Sequence, residues 1–146
     1  MAVLENKFYD KVIAKGKAAV EYIKKGDVGN FFKLSEEAWE LFPEPKKNWN
    51  QGYNFSKMAF KHAITNDKLD KAKRWLNRMQ ENNNNLHNFD GECDYYVGLY
   101  HFEIAEYERA LEIWKEVELD AGLRYFEGDK PEYLDFYLHP EQYIKD

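Results

Sequence analysis

Helices that carry both very small and very large side chains at helical intervals can pack in few ways, and one stretch of this chain has that pattern. Residues 96–114 read Tyr96-Val97-Gly98-Leu99-Tyr100-His101-Phe102-Glu103-Ile104-Ala105-Glu106-Tyr107-Glu108-Arg109-Ala110-Leu111-Glu112-Ile113-Trp114. Gly98, Ala105 and Ala110 are small, whereas Tyr107, Trp114 and, three residues on, Val117 are bulky. Small residues let two helix backbones come close, and bulky ones fill the groove between them. The steps from Gly98 through Ala105, Tyr107 and Ala110 to Trp114 are seven, two, three and four, which predicts two helical segments packed against each other.

Composition fits an all-α chain. With 146 residues it has the length of one domain, read as 1–146, and enough chain to bury a core without disulfide staples. Aromatic residues make up 17 %, Val, Ile and Thr are sparse, and only four prolines interrupt the chain, which argues for helices and against a sheet. Cys93 is the single cysteine, so no intrachain disulfide forms and a reducing compartment is expected. No apolar run has the length of a signal peptide or a membrane span, so the expectation is a soluble cytoplasmic protein.

Helical spacing of apolar residues predicts a first helix over about 4–25, ended by Gly26-Asp27, and a second carrying Phe31, Phe32, Ala38 and Phe42 up to Pro43-Glu44-Pro45. Lys46-Lys47-Asn48 reads as linker. A third helix runs from about Trp49 to Thr65, Asn66-Asp67 turns the chain, and a fourth carries Leu69, Ala72, Trp75, Leu76 and Met79. The run Glu81-Asn82-Asn83-Asn84-Asn85 is rich in poor helix formers and predicts a polar loop. Gly128-Asp129-Lys130-Pro131 predicts a turn that opens a last short helix, about Pro131 to Leu138.

Gly98, Tyr107, Ala110 and Trp114 are spaced as in a tetratricopeptide repeat, and residues 91–124 resemble one such unit. Tyrosine is usual there where His101 stands, and tryptophan where Asp94 stands. Leu69 and Ala72 lie 38 residues before Tyr107 and Ala110, which outlines a second unit, and Gly26, Ala38 and Pro43 outline another over 12–45. The resemblance spans about 110 residues. It implies a right-handed stack of about three helical hairpins closed by a C-terminal capping helix, and a role in binding other proteins.

The residues offer little for catalysis. His62, His87, His101 and His139 form no metal-ligand spacing, and His62 and His101 are expected to pack between helices. His87, Asp90, Glu92, Cys93 and Asp94 crowd one segment, but their spacing fits neither an EF-hand nor a zinc knuckle, and Asp90 reads as a helix N-cap. Carboxylates around Cys93 disfavour its thiolate. There is no phosphate-binding glycine loop and no nucleophile motif. The expectation is a non-enzyme with neither cofactor nor metal.

Charge is the feature that points to a partner. Residues 1–87 carry 16 Lys and Arg against 11 Asp and Glu, a net +5, whereas residues 88–146 carry 5 against 16, a net −11. An acidic surface repels nucleic acid and anionic membrane and attracts basic proteins. The basic segment from Lys57 to Arg78 lacks interleaved exposed aromatics and reads as a solvated face. The sequence therefore leads to an immunity-type inhibitor, a small acidic bacterial protein that neutralises a basic toxin or effector domain. A secretion chaperone or adaptor holding a peptide in a concave groove is the alternative. Glu92, Tyr95, Glu103 and Glu106 are the residues expected on or beside the partner surface: by the repeat resemblance, the first three lie on the concave side of the third hairpin, and Glu106 starts its second helix.

Overall fold

The computed structural model describes residues 6–86 and 91–145. The fold is all-α, with no strand among the described residues, and the chain divides into two compact units, Met1–His87 and Asn88–Asp146. The boundary falls where the sign of the charge changes.

Unit 1 holds two hairpins. Helices α1 (Asn6–Lys24) and α2 (Val28–Glu40) form the first, α3 (Asn50–Thr65) and α4 (Leu69–Leu86) the second, and α2 also touches α3. Ala19, Ala59, Ala63 and Ala72 are fully buried and bring the helices close, while Phe31, Phe60 and Trp75 fill the space between them. Glu36 on α2 reaches across to α4. Arg74 and Arg78 each donate two hydrogen bonds to its carboxylate, at 2.7–3.2 Å. The Arg78 guanidinium also lies over the rings of Trp39 and Trp75, 4.9 and 4.4 Å from their centroids.

The asparagine run is a correction to the sequence reading: residues 81–86 continue α4 instead of forming a loop. Tertiary bonds override the weak propensity. Asn82 is 1 % exposed and donates to the carbonyl of Trp49, and Asn85 donates to that of Lys47. The supposed linker is a 3-10 turn, Lys46–Asn48, pinned to α4 by these amides.

Unit 2 holds the third hairpin, α5 (Glu92–Glu103) and α6 (Tyr107–Ala121), and the capping helix α7 (Pro131–Leu138). Phe136 of α7 is fully buried, with ring contacts to Phe102 of α5 at 5.0 Å and Trp114 of α6 at 6.0 Å. Pro131 stands at the helix start, where its missing N–H costs nothing.

All three hairpins close on one turn. Gly26, Asp67 and Ala105 take left-handed conformations, with φ of 82°, 55° and 64°. The amide of the next residue then returns to the carbonyl five positions back: Asp27 to Tyr22, Lys68 to Ala63 and Glu106 to His101, all at 2.8–2.9 Å. In the first turn the Asp27 side chain accepts from the Asn30 amide and caps α2. Gly26 thus sits in a turn, whereas Gly98 sits inside α5.

Candidate partner-binding surface

Unit 2 is organised around Trp114, which is fully buried. Its indole N–H donates to the Tyr95 carbonyl at 2.9 Å. A Cβ on Gly98 would lie 2.5 Å from the same indole nitrogen, so only glycine lets α5 pass this close to the ring. Tyr95 stacks on Trp114 with centroids 5.8 Å apart, is 1 % exposed, and donates its hydroxyl to Asp129 at 2.7 Å. Burial, then the hydrogen bond to Asp129, pushes its phenol well above the ordinary tyrosine range.

The four residues expected at the partner surface are therefore placed differently. Tyr95 is a core side chain and offers no side-chain surface. Glu103 is partly covered: it accepts from the Tyr133 hydroxyl at 2.6 Å and lies 3.8 Å from the Lys130 ammonium. Glu92, half-buried at the start of α5, adds to burial in raising the Tyr96 phenol to about 12. Glu106 is exposed and bonded to His101 Nδ1 at 2.7 Å, so His101 meets a carboxylate at the hairpin turn, whereas His62 packs its ring on Phe31 at 4.9 Å. Asp90 and His87 lie outside the described residues, and the N-cap position of α5 is held by Gly91 at φ 90°. Cys93 is 3 % exposed. Among the described residues no group of three His, Cys, Asp or Glu side chains is placed to hold a metal ion.

The acidic surface instead runs along α6. Ala110, Trp114 and Val117 bury one side of that helix, and on the other Glu108, Glu112, Glu116 and Asp120 follow one another at intervals of four, all exposed. Arg109 pairs with Glu112 at 2.6 Å. Leu119 rises beside this ridge at 79 % exposure, the most exposed large apolar side chain described. The spacing was legible in the sequence, because the buried positions of α6 already fixed which side faced out. No family model, curated protein or solved structure matches this chain.

The basic segment of unit 1 is partly consumed by its own fold. Arg74 and Arg78 are held by Glu36; before that segment, Lys46 donates to the carbonyls of Glu40, the last residue of α2, and Phe42 just beyond it. Among the described residues no helix is long and apolar enough to cross a membrane.

Proposed function

We propose that this chain is a non-catalytic binding protein of the reducing cytoplasm. Its unit 2 captures a basic folded protein domain, in the manner of an immunity-type inhibitor of a toxin or effector. The observation that carries this reading is the α6 ridge. Four carboxylates stand at successive i, i+4 positions, each like-charge pair costing about 0.2–0.5 kcal/mol, and Arg109 on Glu112 and the exposed Lys115 offset this only in part. A cationic partner relieves that repulsion, and Leu119 supplies an apolar contact beside it. The net −11 of residues 88–146 would speed encounter with such a partner before any contact forms. The hairpin architecture, read as resembling tetratricopeptide repeats, supports a scaffold without chemistry of its own.

The test is binding kinetics against basic folded toxin or effector domains across salt concentrations. Charge reversal at Glu112 and Glu116 is expected to slow association and flatten its salt dependence, with a smaller effect at Glu92 and Glu103. Reversal at Lys71 and Lys73 is expected to change little. Equal sensitivity of both units, or no salt dependence, overturns the capture reading.

A further inference from the structure

Unit 1 carries a groove of about 440 Å³ between α1 and α3. Its floor is apolar, formed by Ile13, Val20, Phe55 and Met58, all partly exposed. Gly16 opens it: a Cβ there would already lie 3.4 Å from the Phe55 ring. Helix α3 has no acidic residue. Lys17 and Lys24 stand at the rim with Glu21, which lies 3.5 Å from Lys24.

The groove suits an occupant that is apolar in the middle and carries carboxylates to meet Lys17 and Lys24. The chain itself displays such a surface. On α6 the exposed Leu119 is flanked by Glu112, Glu116 and Asp120, against one exposed cation on that side, Lys115, and with Glu112 already paired with Arg109. We propose that the α1/α3 groove of one molecule receives the α6 face of a second copy, so that the chain associates with itself head to tail. Because the two faces differ, the contact is heterologous, and assembly continues past the dimer unless a ring closes. The association uses the same α6 ridge as partner capture but needs no second protein. A basic partner that covers the ridge would then disassemble it.

Sedimentation velocity of the full chain tests this at about 0.01 M salt, where the Debye length is about 30 Å, and at about 1 M, where it is about 3 Å. The weight-average mass is expected to rise with protein concentration at low salt and to fall to the monomer at high salt. Two surface variants, Lys17→Glu/Lys24→Glu and Glu112→Lys/Glu116→Lys, should each remain monomeric, with helicity unchanged by circular dichroism. Mixing them in equal amounts should restore association, because each reversed face then meets a reversed partner. Met58→Gln, which leaves every charge in place, should weaken association at least tenfold. A monomer at low salt, a mixture that fails to re-associate, or full association of Met58→Gln overturns the proposal. The Lys17→Glu/Lys24→Glu variant leaves α6 intact, so its binding to a basic partner reports separately on the capture reading.

Discussion

The two units hold their hydrogen-bonded carboxylates with different donors. In unit 1, Glu36 is gripped by two guanidinium groups, one of them layered on Trp39 and Trp75. In unit 2, phenols do most of the corresponding work: Tyr95 donates to Asp129, Tyr133 to Glu103 and Tyr137 to Glu118, at 2.6–2.8 Å, and only Glu103 of the three also has an ammonium near it, Lys130 at 3.8 Å. Composition dictates the choice. Residues 88–146 contain only five Lys and Arg for sixteen carboxylates, but they hold eight of the eleven tyrosines. A guanidinium cancels the charge it binds, whereas a phenol satisfies a carboxylate and leaves its charge in place. Unit 2 can therefore order its loops and capping helix and still stay strongly acidic.

The largest test of this contrast is Trp114→Ala. Removing a fully buried indole should cost about 3–5 kcal/mol, and amide exchange should report the loss in unit 2 while α1 to α4 keep their protection. Gly98→Ala attacks the same contact from α5 and should cost about 1–3 kcal/mol by overpacking. Uniform loss of protection in both units would show that they do not unfold separately.

Glu36→Gln comes next, at about 1–2 kcal/mol in unit 1, because it leaves two guanidinium groups without their carboxylate. Burial alone would raise the Glu36 carboxyl, but hydrogen bonds from Arg74 and Arg78, with their charges, outweigh it and hold its pKa below the ordinary 4.5. A depressed pKa means that the pair's stabilisation is present above about pH 4.5 and is lost as the pH falls through the lower folded value. Acid titration of wild type and Glu36→Gln should converge below that range. Parallel curves would remove Glu36 from the account.

Unit 2 should respond at the opposite end of the pH scale. Burial, then the Glu118 hydrogen bond, raises Tyr137 to about 12; burial, then the Glu92 charge, raises Tyr96 to about 12; Tyr95 and Tyr133 are also raised. Groups with raised folded pKa values stabilise the fold fully below their unfolded pKa, about 10, and lose that contribution as the pH climbs through the folded value. Phenolate absorbance should therefore lag at first and then rise together with loss of unit 2 helicity between about pH 10 and about pH 12. Tyr137→Phe should lower stability at neutral pH by no more than about 1 kcal/mol. Simultaneous alkaline loss of both units would erase the contrast. The smallest expected effect is zero: EDTA should leave the melting temperature unchanged, and a fall reversed by zinc would place a metal in the fold.

Much of the architecture was legible because local chemistry and tertiary packing agree. Gly26-Asp27 marks a turn and a cap, Pro131 starts α7, and the small residues of α5 and α6 pair them around Trp114. Legibility failed where tertiary contacts decided. The asparagines of 82–85 carry a turn propensity that buried amide bonds to the 46–49 backbone overcome. In α5, Cys93, Tyr95, Gly98, Leu99 and Phe102 are all buried, which leaves no clean polar face. Spacing therefore does not sort the core Tyr95, 1 % exposed, from an exposed tyrosine.

The shared hairpin turn has a consequence for how such a chain can change. Each turn is closed by bonds between residues of its own hairpin, and the left-handed position accepts glycine, aspartate or alanine. Nothing outside the hairpin takes part in these bonds, although a residue other than glycine at the left-handed position carries a steric cost. A duplication, deletion or transplant that takes a whole hairpin therefore leaves every turn intact, whereas a cut through one of the helices destroys a pairing. Each hairpin is thus self-contained at its joint, and moving it whole would keep that joint's own bonds.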